Sequence, residues 1–142
     1  MNSTTEDIRR QAVVAARAAA AKKGEDPLIL EVGAVLAITD AFVITSGTNA
    51  RQVRTIAEEV EERVAAECGP RPLRTEGLDD ARWVLLDYGD FVVHVFLDEV
   101  RRYYDLERLW SDAPRVAWDE EAPPCSEPAS LPPRSGSGPA GT

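Results

Sequence analysis

The sequence is poor in the features that mark membrane, metal and disulfide-rich proteins. No apolar run approaches the roughly 20 residues that a helix needs to cross a bilayer, and the N-terminus MNSTTEDIRR lacks the basic-then-apolar order of a secretory signal. Its two cysteines, Cys68 and Cys125, have neither metal-ligand spacing nor a disulfide framework. We therefore expect a cytosolic protein with no metal, no cofactor and chemically idle cysteines.

Positive charge is also scarce. The 16 lysine and arginine residues stand against 25 aspartate and glutamate residues, which gives a net charge of −9. A surface of this sign repels nucleic-acid phosphates, so direct binding to DNA or RNA is disfavoured, and a basic protein is the better partner. With 142 residues, the chain has room for one domain that buries roughly two-thirds of its unfolded surface.

The apolar pattern predicts one α/β domain. Helical spacing covers residues 5–22 and the stretch from Asn49 to Cys68. The other predicted elements are strands Leu28–Val32, Ala41–Thr45, Arg71–Thr75, Arg82–Leu86 and Phe91–Leu97, and a last helix from Asp98 to about Asp112. The order α β β α β β β α predicts a single mixed sheet flanked by helices.

A domain boundary is predicted at residue 112. Residues 1–112 carry the periodic apolar pattern, whereas residues 113–142 hold seven of the ten prolines, three glycines and few bulky apolar side chains. Such a segment cannot offset the conformational entropy lost on ordering. We therefore predict a disordered Pro/Gly-rich acidic tail.

The strand-to-helix turn Ser46-Gly47-Thr48 offers a route to an enzyme. Backbone N–H groups at such a turn can bind phosphate, but Gly47 can equally permit a turn at which Thr48 or Asn49 only caps the helix. A nucleotidyltransferase also needs two carboxylates at i and i+2 on a strand to hold magnesium. Glu59 and Glu61 have this spacing on a predicted helix, where they point about 200° apart. A nucleotide-binding or nucleotidyltransferase-type enzyme is therefore only the alternative hypothesis.

Side chains of two kinds alternate along the first strand of a predicted hairpin. Val84 and Leu86 share one face, and Trp83, Leu85 and Asp87 share the other. If the valine–leucine face is buried, the indole lies outward beside a carboxylate, which is typical of a binding site for a basic protein. Two other interpretations stay open: a neighbouring loop covers Trp83, or the aromatic hairpin serves homodimerisation.

The single histidine and the last helix are expected to be structural. His94 alternates with valines in a strand and has no cysteine or serine beside it in a nucleophile motif, so we expect it to be packed and not catalytic. Tyr103 and Tyr104 are expected to pack with their hydroxyls reaching water. Arg101 and Glu107 are expected around the apolar stripe of the helix, with Glu107 meeting one of the tyrosines.

A series of ordered motifs resembles the ribosomal silencing factor family, also called RsfS or Iojap. The resemblance covers nearly all of residues 5–112. The motifs are Thr39-Asp40-Ala41-Phe42-Val43-Ile44, Ser46-Gly47-Thr48, Arg51-Gln52-Val53, Glu76-Gly77, Trp83-Val84-Leu85-Leu86-Asp87-Tyr88-Gly89-Asp90, Val93-His94-Val95-Phe96 and Tyr103-Tyr104-Asp105-Leu106-Glu107-Arg108-Leu109-Trp110.

The resemblance implies a mixed α/β domain related to a reduced nucleotidyltransferase that lacks the catalytic carboxylates. It also implies a non-enzymatic function: binding to ribosomal protein L-fourteen on the large ribosomal subunit, steric exclusion of the small subunit, and repression of translation in starvation or stationary phase. The partner-binding residues implied by the resemblance are Trp83, Asp87, Tyr88 and Asp90, with Leu85 and His94 as neighbours. The tail after residue 112 has no role in this pattern.

Overall fold

A computed structural model describes residues 5–33 and 39–118 of the chain. The elements, in chain order, are α1 (Thr5–Ala21), β1 (Glu25–Glu31), β2 (Ala41–Gly47), α2 (Ala50–Cys68), β3 (Arg74–Glu76), β4 (Trp83–Asp87), β5 (Phe91–Leu97), α3 (Asp98–Tyr104) and α4 (Leu106–Leu109). Within these two ranges, no helix has the length and apolar character to cross a membrane.

The strands form one mixed sheet in the order β1-β2-β5-β4-β3. Strands β2 and β5 are parallel, and the other neighbouring pairs are antiparallel. Parallel pairing of β2 with β5 requires a crossover, and α2 lies within that connection. The predicted mixed sheet flanked by helices is therefore confirmed.

The first face of the sheet packs against α1 and α2 and forms the main core. The α2 stripe predicted from spacing is buried there, and it consists of Val53, Ile56, Ala57, Val60 and Val64. From β4, Val84 and Leu86 enter this core at 0% and 1% exposure. The valine–leucine face is therefore the buried one, and Trp83 lies on the opposite side of the sheet.

The second face of the sheet is covered only in part. Its smaller apolar cluster joins sheet residues such as Ile44 and Phe96 to Val100 of α3. Trp83 and Trp110 pack at the margin of this cluster. The side chains of β4 that point to this side remain only half-buried, so part of the sheet is open to a partner.

The predicted last helix is wrong in length, because two short helices replace it. Asp105 separates α3 from α4 and has φ +50 and ψ 56, the left-handed region, which ends a helix. The break brings Glu107 to Arg101, whose Nη2 donates to the glutamate oxygen at 2.9 Å. The predicted contact of Glu107 with a tyrosine and the outward position of Arg101 were therefore incorrect.

Arg101 is buried, and its hydrogen bonds connect α3 to strands β1 and β2 of the sheet. At 7% exposure, its guanidinium donates to the carbonyl of Glu25 at 2.7 Å, to Ser46 Oγ at 3.0 Å and to the carbonyl of Asp26 at 2.8 Å. Burial of a charge is tolerated when its donors are satisfied in this way.

Three strands begin at other residues than the pattern predicted. The shift is one residue for β4, which runs from Trp83 to Asp87 instead of Arg82–Leu86. Strand β1 begins at Glu25, before the expected Leu28, because an irregularity after Glu25 places Asp26 at φ +40 and accommodates Pro27. Strand β3 runs from Arg74 to Glu76 instead of Arg71–Thr75.

The chain continues along the sheet beyond the predicted boundary at residue 112. Val116 N donates to the carbonyl of Ile29 at 3.0 Å, and Trp118 Nε1 donates to the carbonyl of Pro27 at 2.6 Å. Residues 113–118 therefore pack against β1, and the rest of the predicted tail, 119–142, lies outside the described residues.

Cys68, at the end of α2, also differs from expectation. It is disulfide-bonded, so the prediction of an idle cysteine was wrong. Cys125, the other cysteine of the sequence, lies outside the described residues.

Candidate functional site

The candidate site is the uncovered part of the second sheet face, which we call the open face. It comprises Phe42, Trp83, Leu85, Asp87 and Val92, all half-buried. Strand register brings them together, because Phe42 lies opposite Val92 and Val92 lies opposite Asp87 across three neighbouring strands. The edge of Phe42 also meets Trp110 at a ring-centroid distance of 5.9 Å. The open face is thus mainly apolar and aromatic.

Trp83 combines a fixed position with an accessible surface. Its indole packs on Phe96 and Tyr104 at centroid distances of 4.8 and 4.9 Å, and Nε1 donates to His94 Nδ1 at 3.0 Å. Nevertheless, Trp83 lines two clefts of about 610 and 320 Å³. Such a partly held aromatic ring is a suitable anchor for a protein partner.

The clefts beside Trp83 carry acidic side chains. The smaller cleft is lined by Glu76, Gly77 and Leu85 in addition to the indole. The larger one includes Asp80, Glu99, Arg82 and the exposed Tyr103. Among the residues that line the two clefts, three carboxylates stand against one arginine, an excess of negative charge that favours a basic partner.

Asp87 and Asp90 belong to the hairpin turn that borders the open face. Asp87 Oδ1 accepts from the backbone N–H of Gly89 at 2.8 Å, and Oδ2 accepts from Arg74 at 3.3 Å. Gly89 has φ +86, a backbone conformation that glycine adopts without steric cost. Asp90 is exposed, so its carboxylate is open to a partner, whereas that of Asp87 also maintains the turn.

His94 lies beneath the open face and not on its surface. Its imidazole is 5% exposed and meets the ring of Phe42 edge to face, with centroids 4.7 Å apart. Burial lowers the pKa of His94 to about 4, so the side chain is neutral near pH 7. The structure therefore confirms a packed histidine, which leaves little of its surface exposed to a partner.

Tyr88 is the one implied binding residue on the wrong side of the sheet. It is 8% exposed and stacks on Phe91 at a centroid distance of 4.5 Å with an interplanar angle of 6°. Burial and the negative charge of Glu61 raise its pKa. Tyr88 follows Val84 and Leu86 at a spacing of two residues, so it continues the side of the strand that they share. The alternation in the sequence therefore indicated that Tyr88 faces the main core.

The Gly47 turn is filled by a side chain of α2. Gln52 Oε1 accepts from the N–H of Thr48 at 2.8 Å, and Gln52 Nε2 donates to the carbonyl of Lys23 at 3.0 Å. Asn49 is the helix cap and accepts from Gln52 N at 2.8 Å. The capping interpretation is therefore confirmed, and the N–H groups of Thr48 and Gln52 are already bonded within the protein.

The described residues contain no cluster of three or more histidine, cysteine, aspartate or glutamate side chains arranged for a metal ion. Glu59 and Glu61 both lie on α2, as predicted, where they cannot face a common ion.

Sequence reasoning missed Phe42 and Val92, which complete the open face. Their membership depends on the parallel pairing of β2 with β5, a contact between segments 50 residues apart in the chain. Local alternation in each strand gives two faces but does not say which faces coincide. Only the register of the assembled sheet supplies that information.

Comparisons with known proteins agree with this geometry. The family model described as "Ribosomal silencing factor during starvation" matches residues 5–137, which extends past the predicted boundary at residue 112. A ribosomal silencing factor from Bacillus subtilis is 46% identical over 106 residues, 75% of this chain and 89% of that protein. A mouse protein named for mitochondrial assembly of the ribosomal large subunit is 32% identical, over 63% of this chain and 40% of its own length.

Solved structures give the same result for the fold. A protein from Chromobacterium violaceum superposes with a TM-score of 0.69 at 32% identity, covering 81% of this chain and 94% of that one. A protein from Bacillus halodurans gives 0.62 at 42% identity, covering 73% of this chain and 93% of that one. The sequence matches and the shared fold lead to one conclusion: this chain belongs to the ribosomal silencing factor family.

Proposed function

We propose that this protein binds the large ribosomal subunit in the cytoplasm through ribosomal protein L-fourteen and sterically blocks joining of the small subunit. The result is repression of translation under nutrient limitation or in stationary phase. The mechanism needs no catalytic step, because a domain bound on the intersubunit face excludes the other subunit by its volume alone.

The observation that carries the proposal is the open face with Trp83 at its border. Half-buried aromatic side chains in a partly desolvated setting are the usual centres of protein interfaces. Trp83 is held by Phe96 and Tyr104, so little conformational entropy is lost when a partner covers it. Main-core helices α1 and α2 lie on the other side of the sheet and leave this surface accessible.

Charge supports a basic ribosomal protein as the direct contact. The net charge of −9 repels the surrounding RNA, while Glu76, Asp80 and Glu99 line the clefts next to Trp83. Complementary charge raises the association rate and fixes orientation more than it adds affinity. The apolar open face then supplies the contact that keeps the complex together.

Co-sedimentation with purified large subunits tests this proposal. The most informative variant is Asp90→Lys, because Asp90 is exposed at the hairpin turn. Its replacement reverses the charge and leaves in place the hydrogen bond from Gly89 N–H to Asp87 that maintains the turn. We expect a loss of affinity of roughly tenfold. The matched control is Glu62→Lys, an equal change of charge at an exposed position of α2 on the far side of the sheet.

A pull-down with isolated L-fourteen identifies the partner. Retention of L-fourteen by the wild-type chain and its loss with Trp83→Ala are the expected results. Binding of subunits that is unchanged in Trp83→Ala, or that falls equally in Asp90→Lys and Glu62→Lys, would place the interface elsewhere. If Trp83 were hidden in a homodimer instead, sizing at increasing protein concentration would show a larger particle and weaker capture of the partner.

A further inference from the structure

His94 is a polar residue that packing alone does not explain. Its Nε2 is buried without a hydrogen-bond partner, and an unpaired buried polar atom costs about 1–3 kcal/mol. A phenylalanine or leucine at this position would fill a site among Phe42, Phe96 and Trp83 without that cost. Whatever histidine contributes here must come from its other nitrogen.

That other nitrogen accepts a hydrogen bond from Trp83. An indole N–H can only donate, so Nδ1 of His94, 3.0 Å from Trp83 Nε1, must be the unprotonated acceptor. The neutral imidazole then carries its proton on Nε2. The bond joins two neighbouring strands, because Trp83 on β4 lies opposite Phe96, two residues beyond His94 on β5.

The imidazole is itself held in place. Phe42 contacts it edge to face at 80°, and Phe96 lies nearly parallel to it at 11° with centroids 6.0 Å apart. A fixed acceptor defines where the indole N–H must point, and therefore how the six-membered ring of Trp83 is presented at the border of the open face.

We propose that His94 is a positioning residue, which orients the indole of Trp83 for the partner and acts on binding only through Trp83. The inference rests on the function proposed above, since it assumes that the open face binds the large subunit. It also gives a reason for a histidine that lies too deep to touch any partner.

A double-mutant cycle measured by co-sedimentation with large subunits tests this role. His94→Phe keeps an aromatic ring and removes the acceptor, so we expect a loss of affinity of about tenfold, equivalent to one hydrogen bond. His94→Gln can retain an acceptor and should recover most of the affinity. In a Trp83→Phe background, which lacks the donor, His94→Phe should change affinity by less than about twofold.

Two outcomes overturn the inference. A tenfold loss from His94→Phe in the Trp83→Phe background as well would mean that His94 acts by general packing. If His94→Phe does not fold, nitrogen-15 NMR of the wild-type protein still decides, since protonation of His94 Nδ1 or rapid exchange of the Trp83 indole N–H would exclude the hydrogen bond. Absence of subunit binding by the wild-type chain is a separate result, which removes the proposed function and this inference with it.

Discussion

At the scale of single residues, burial decides which side chains of the hairpin can meet a partner. Trp83, Leu85 and Asp87 lie on the open face, Asp90 is exposed at the turn, and His94 lies beneath the face. We therefore propose that the residues of this family motif divide into three roles: partner contact, turn formation and support of the contact residues. Sequence similarity alone assigns all of them to contact.

Tyr88 gives the clearest check of this division. Because its hydroxyl is buried without a hydrogen-bond partner, Tyr88→Phe should change the free energy of unfolding by less than about 1 kcal/mol. It should also leave affinity for large subunits unchanged, since the ring faces the main core. Urea denaturation and co-sedimentation measure the two effects. A large loss of affinity at unchanged stability would return Tyr88 to the interface.

The buried histidine makes stability depend on pH. Burial lowers the pKa of folded His94 to about 4 from the ordinary 6.5, so below pH 6.5 the unfolded chain binds a proton that the folded chain does not. The stabilising contribution of the neutral side chain is complete above pH 7 and is lost as the pH falls toward 4. Between pH 7 and 5, wild type should lose about 2 kcal/mol more than His94→Gln.

Urea denaturation of wild type and His94→Gln at both pH values measures this difference. Carboxylates common to the two proteins cancel in the comparison, so the difference isolates residue 94. Parallel losses of stability in the two proteins would show that His94 titrates normally in the folded state.

At the scale of elements, the connection before β4 depends on a glycine that has no room for a side chain. A Cβ on Gly77, at φ +87, would lie 2.1 Å from the carbonyl oxygen of Trp83. Gly69, at φ +104 after α2, has nothing within 4 Å of such an atom. The two positions share the backbone strain of a positive φ and differ in available space.

Alanine at each glycine separates these effects. Gly69→Ala should cost roughly 1–2 kcal/mol of unfolding free energy, the penalty of a left-handed conformation. Gly77→Ala should cost clearly more and weaken subunit binding, because the backbone of Trp83 must move. Urea denaturation of both variants measures the two losses of unfolding free energy. Equal losses would show that the close approach of Gly77 to the Trp83 carbonyl adds nothing to the cost of a side chain at this position.

The elements themselves followed from local pattern to a large extent. Apolar side chains spaced at the helical period of 3.6 residues predicted α2, and runs of β-branched residues predicted β2 and β5. These signals depend only on neighbouring residues. The break at Asp105 was not predictable in this way, since aspartate tolerates the left-handed region without requiring it. Pairing of residues 113–118 with β1 was missed as well, because it joins segments far apart in the chain.

At the scale of the whole molecule, the site depends on incomplete covering of a sheet. Helices α1 and α2 bury one face, while the short α3 and α4 cover only part of the other. Alternation in the sequence separated the two sides of β4 but left open which of them is buried, and it did not predict how far α3 and α4 extend over the other side. The extent of this cover follows from the helix break at Asp105 and from the hydrogen bonds of Arg101 to the first strand. Neither feature can be recognised from neighbouring residues in the sequence.

The central claim is that a protein bound through the open face keeps the two ribosomal subunits apart. Joining of purified large and small subunits, followed by sedimentation in the presence of increasing amounts of this protein, tests it most directly. We predict that wild type and Glu62→Lys leave the subunits separate, whereas Trp83→Ala and Asp90→Lys permit joined particles at the same concentration. Joined particles that form normally while carrying the bound wild-type protein would contradict the account.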